Sequence, residues 1–216
     1  MKLRFEYNKE KDIWCLLNKG KSSINSPFPT EVYEKLVKFA GENPDETKTS
    51  EFIEMYLKEE NLNISDFLTH TQKDFEKISD KFEVIAEKIF GRTLDKEITI
   101  FATVNNRCPY DIKENWFFIS VSKENPVLTI MHELWHFYTW ERFGQECLDK
   151  IGAEKYNTIK ESLTVILNLE CGNLIPENVK DKGYLQHQEL REKISFWWQE
   201  SKNMDYVFTN SLKFLD

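Results

Sequence analysis

Along this chain the apolar positions change period, and each change marks an element. Residues 3–17 alternate loosely (LRFEY, then IWCLL), which fits one or two short strands or a small helix. Ser26-Pro27-Phe28-Pro29-Thr30 reads as a turn. Thr30 is placed to cap a helix over 31–40, with Val32, Leu36, Val37 and Phe39 on its apolar side. Gly41 to Pro44 stops it. Phe52, Ile53, Tyr56 and Leu57 give a second helix over about 50–60. The series Phe67, Phe75, Ile78, Phe82, Ile85, Ile89 then predicts one long amphipathic helix over 66–90, ended by Gly91.

At residue 97 the period becomes extended. EITIFATV (97–104) is β-branched and alternating, and NWFFISV (115–121) is a second strand candidate after a turn-rich stretch. Asn125 and Pro126 open an apolar helix that should end near Gly144. A further helix is expected over 153–169, then a loop marked by Pro176 and Gly183, a helix over about 184–199, and a last apolar piece over 208–215. The expected class is α+β and predominantly helical. Its organisation reads as a helical N-terminal region (1–62), a core (63–175) with a small sheet, and a C-terminal helical segment (176–216), expected to form one compact unit by the lack of any linker.

Within the apolar helix stands T-I-M-H-E-L-W-H-F-Y-T-W (129–140), and this stretch carries the chemistry. His132 and His136, four apart, lie nearly above one another on a helix and can offer two imidazoles to one ion. Glu133 sits one step round, beside that ion. Chance gives H-E-x-x-H in a chain with four His about once in a hundred cases or fewer. The surroundings are apolar on every side, and two imidazoles with a carboxylate in such a helix are costly unless something satisfies them. A zinc on two imidazoles and a third protein ligand keeps a position for water and lowers its pKa to about 7. A neighbouring carboxylate can take that proton and pass it to a leaving amine. The motif therefore points to metal-assisted hydrolysis of an acyl bond.

The residues leave three candidates for the third ligand: Glu161, Glu170 and His187. Metzincins would have a His where Arg142 stands and a Gly where Thr139 stands, so that group is excluded. On a helical wheel Glu170 shares the apolar stripe of Ile159, Leu163 and Ile166, whereas Glu161 shares a face with Asn157, Thr164 and Asn168 that looks solvated. The motif helix followed by Glu161-Ser162-Leu163-Thr164 resembles the gluzincin group of zinc peptidases, over about residues 97–172. That resemblance implies a zincin-like core with Zn2+ on His132, His136 and Glu161, and Glu133 as general base. It also implies an oxyanion stabiliser reaching over the metal, with His187 and Tyr184 in the right part of the chain and Tyr156 as another candidate. The strand over 115–121 would then offer an edge to an extended peptide.

Composition narrows the partners. Net charge is −8, from 37 acidic and 29 basic residues, with no basic stripe, so no nucleic acid is expected; a peptide or protein substrate is what the gluzincin resemblance implies. No apolar run approaches the ~18 residues of a membrane span, and the start lacks the apolar region of a signal peptide. Four scattered cysteines show no C-x-x-C spacing, which fits a cytoplasmic protein. Cys108 in a turn-rich segment reads as a loop cysteine rather than a metal-plugging one, and His70 as a surface residue. Two other functions compete with a zinc metallopeptidase: a catalytically weak or inactive zincin-fold binding or regulatory module, and a helical structural protein with a fortuitous motif.

Overall fold

A computed structural model describes residues 1–22 and 27–216. The chain is α+β and mostly helical with one four-stranded sheet, as the patterning predicts. It divides into two compact units. A sheet unit holds residues 2–75 and 96–126; a helical unit holds Met1, 76–95 and 127–216.

In the sheet unit the loose alternation at the start resolves into strand β1 (Lys2–Glu6) and helix α1 (Lys9–Lys19). The turn expected at Ser26 begins outside the described residues. Thr30 caps α2 (Glu31–Ala40) as expected, its hydroxyl accepting from the Tyr33 amide at 3.2 Å. Asp45 caps α3 (Glu46–Glu59) earlier than periodicity alone placed it, and α4 spans Ile64–Glu76. Strands β2 (Glu97–Thr103), β3 (Tyr110–Asp111) and β4 (Trp116–Ser120) complete the sheet in the order β1-β2-β4-β3. β1, β2 and β4 run parallel, while β3 pairs antiparallel with β4 at Trp116 and Phe117. The edge of β4 expected to be open is therefore taken along that stretch. Leu16, Leu36, Phe52, Ile53 and Val104 form the buried core of this unit. Inside it Asp12 accepts from Thr103 Oγ1 at 2.5 Å and from the Val104 amide at 3.1 Å.

The single helix expected over 66–90 is two: α4 and α5 (Ser79–Phe90). The break at residues 77–78 has no Gly or Pro to announce it. It falls at the boundary between the units, so each half contributes its apolar face to a different core. Gly91 does end α5, in the left-handed conformation with φ 61°.

In the helical unit, α6 (Pro126–Ile151) carries the H-E-x-x-H stretch. Gly144, with φ 35° and ψ −149°, breaks its helical path near the point where the pattern predicted an end, but helix resumes beyond it. α7 (Ala153–Leu163) and α8 (Val165–Glu170) replace the one helix expected over 153–169. α9 (Gln188–Ser201) and α10 (Met204–Leu215) finish the chain, the latter capped by Asn203. Trp135 and Tyr138 fix α6 against α5: the Phe90 ring lies 4.9 Å from Trp135 and 5.7 Å from Tyr138. Aromatic pairs of this kind contribute about 0.5–1.5 kcal/mol each beyond area burial. No helix among the described residues is long and apolar enough to cross a membrane.

Candidate metal centre

The aromatic face of α6 is spent on α5, and the face about 100° round the axis carries His132 and His136. Their rings stand 4.6 Å apart, centre to centre. The last turn of α7 brings Glu161 to them, with Oε2 3.6 Å from His132 Nε2 and 3.4 Å from His136 Nε2. These distances exceed a hydrogen bond, and Oε2 is a buried carboxylate oxygen with no hydrogen-bond donor. They match the edge of a tetrahedron whose centre lies about 2.0–2.1 Å from each ligand, roughly 3.3–3.4 Å. Among the described residues, His132, His136 and Glu161 form the group able to hold a metal ion. Two imidazoles and one carboxylate are a donor set that suits zinc.

The remaining nitrogen of His132 is held as a metal-binding His requires. Nδ1 lies 2.5 Å from Asp181 Oδ2, which orients the ring and turns Nε2 toward Glu161. Asp181 is itself fixed from several sides. Arg191 Nη2 donates to its Oδ1 (2.8 Å) and to its carbonyl (2.7 Å), and Thr164 Oγ1 lies 2.9 Å from Oδ1. The Asn168 side chain pairs with both the Asp181 amide and carbonyl at 2.8 Å. Gly183 makes this packing feasible: its φ is 59°, and a Cβ there would stand 2.6 Å from Arg191 Nη1.

Lys160 adds a cation. It is buried, and its Nζ lies 2.6 Å from Glu161 Oε1, the oxygen turned away from the imidazoles. Charge states follow from these neighbours. Burial pushes the Glu161 carboxyl up, but His136 and Lys160 outweigh it and hold it well below the ordinary range. Burial and then the Lys160 charge pull His136 down to about 3, which keeps it neutral and able to bind an ion. Burial also lowers His132, but Asp181 overrides it and raises the imidazole well above its usual value. An ion at Nε2 would compete with that proton. Glu133 is pushed up to about 7, chiefly by burial, and its Oε2 has no hydrogen-bond partner.

The other candidates lie elsewhere. Glu170 accepts from Trp198 Nε1 at 2.7 Å and pairs with Lys202, outside the group. On the face of Glu161 that looks solvated by its residue types, Glu161 and Thr164 are buried and Asn157 and Asn168 half-buried: Thr164 and Asn168 are polar there because they hold Asp181 and Arg191. His187 is buried within electrostatic reach of Glu161 and Lys160, its pKa lowered first by burial. It is not one of the three grouped ligands. Tyr184 lays its ring edge-on to His187 at 5.7 Å, and Tyr156 packs against Trp140 at 6.0 Å. His70 is exposed, and Cys108 packs beside Phe101 and Phe118 in the sheet unit.

Sequence reasoning missed Asp181, Arg191 and Lys160. A loop aspartate has no period to betray it, and a lysine beside a glutamate in a helix reads as solvated surface. No protein-family model, no curated protein and no solved structure matches this chain, so a function must be argued from the chemistry of this centre.

Proposed function

We propose that this chain is a zinc-dependent metallopeptidase with a zincin-like core of the gluzincin kind. His132, His136 and Glu161 hold the metal, and Glu133 is the general base. One observation carries the reading: Glu161 Oε2, buried and without a donor, faces two imidazole nitrogens at 3.4 and 3.6 Å. Zinc bound there supplies Lewis acidity and makes water acidic enough to react near neutral pH. Glu133 receives the proton of the attacking water on a carboxylate oxygen and returns it to the leaving amine. Asp181 keeps the His132 ring in register by accepting from Nδ1. His187 and Tyr184 are the candidates to steady developing charge on the scissile carbonyl oxygen. The substrate is a peptide or protein, and cysteines without disulfide-like spacing support a cytoplasmic setting.

A second reading, a binding or regulatory module with little turnover, is favoured by the burial of the centre. Glu133 is 6% exposed, Glu161 4% and His136 1%. Structural metal sites are closed, whereas catalytic ones keep an open position. One experiment separates the readings. The zinc-loaded protein is incubated with a mixed peptide library, and products are read by mass spectrometry. Glu133→Gln should bind zinc normally and cleave at least ~100-fold more slowly than wild type. Equal rates would overturn the proposed mechanism. No cleavage by wild type, with zinc bound, would leave the binding module.

A further inference from the structure

We infer that Lys160 makes Glu161 a one-oxygen ligand and so keeps a coordination position open. The inference rests on the metal-site reading above. Lys160 Nζ lies 2.6 Å from Oε1, and both side chains are almost wholly buried. Oε2 is the oxygen that faces His132 and His136. Adjacent residues on a helix point about 100° apart, so this pairing is not a by-product of helix geometry.

A carboxylate can bind an ion through one oxygen or both. Two histidines and one Glu161 oxygen leave the fourth position of a tetrahedral ion to water or substrate. A second Glu161 oxygen would crowd that position. With its ammonium on Oε1, Lys160 opposes this switch by charge and by a charge-assisted hydrogen bond. It is a positioning residue, acting through Glu161. The same contact read as a plain buried ion pair would matter for folding and would leave coordination unchanged.

Cobalt separates the two, since the visible spectrum of Co2+ reports its coordination number. The full-length wild-type protein and Lys160→Arg, loaded with Co2+, should show the intense band of a four-coordinate ion. Lys160→Met, which frees Oε1, should lose that intensity and show the weaker band of a higher-coordinate ion. An unchanged band in Lys160→Met would overturn the inference and leave the metal site standing. If Lys160→Met fails to fold, X-ray absorption on the wild-type zinc protein still tests the one-oxygen coordination that the inference requires. Four nitrogen and oxygen neighbours support the inference, and a fifth from a chelating carboxylate overturns it. Failure of the wild type to bind either ion would overturn the metal-site reading itself, and this inference with it.

Discussion

Each unit buries an aspartate, and the two carboxyls shift their pKa in opposite directions. In the sheet unit the donors on Asp12 Oδ1 are neutral, the Thr103 hydroxyl and the Val104 amide, and burial pushes its pKa up to about 6. In the helical unit burial pushes Asp181 the same way, but His132 and Arg191 bring it down to about 2. Burial alone therefore does not mark a functional acid. What marks Asp181 is its company: an imidazole on one oxygen and a guanidinium on the other. Asp12 serves its neighbours' hydrogen bonds, whereas Asp181 is held as an anion and lends its charge to a ring.

The contrast is broken most sharply at the metal. His136→Ala should reduce zinc from about one equivalent per chain to almost none, because two ligands rarely retain an ion that three hold. Asp12→Asn should leave the zinc content untouched, and elemental analysis reads both. Zinc retained in full by His136→Ala would remove the centre as described.

Stability comes next. Asp181→Ala leaves the buried Arg191 guanidinium without its carboxylate, a loss of about 3–5 kcal/mol in urea unfolding. In whatever fraction folds, zinc affinity should drop about 10–100-fold, the usual effect of removing a carboxylate behind a metal-binding His. An Asp181→Ala protein with wild-type stability and affinity would place Asp181 on a par with any surface residue.

The smallest effect sharpens the other side. The folded pKa of Asp12, about 6, lies above its unfolded value near 3.8, so the folded state holds the extra proton between them. Its contribution is therefore fully present below about pH 4 and is lost as pH rises through 6. Asp12→Asn cannot ionise, and its advantage over wild type should grow from pH 4 to pH 7 by up to about 3 kcal/mol. Urea melts at the two pH values test this. A difference that does not change with pH would mean that Asp12 ionises no more reluctantly in the fold than outside it.

Much of this was readable in the residues because local geometry determines it. The spacing of His132 and His136 needs one turn of helix, and Glu161 sits in a short pattern on the helix after it. The wheel could not decide for Glu161 because it scores polar neighbours as solvated. Thr164 and Asn168 are polar for an internal reason, the anchoring of a loop that lies far along the chain. The expected helix over 66–90 failed similarly: its apolar spacing is continuous, and the break at residues 77–78 answers to two separate cores. Contacts between distant segments leave no local period.

The bond between His132 and Asp181 spans 49 residues, whereas the two imidazoles are neighbours on one turn. Closing the longer loop costs roughly 2 kcal/mol more conformational entropy than closing a loop of four. Contacts of such long range form slowly in a refolding chain. The paired imidazoles can thus exist as soon as α6 does, but the oriented ring, and with it the tight zinc binding proposed for this centre, must wait until the 171–187 loop and α9 have docked. On the proposed metal site, zinc affinity would mark the end of folding, and a fluorescent chelator competing during refolding should lose its metal later than the tryptophan signal settles.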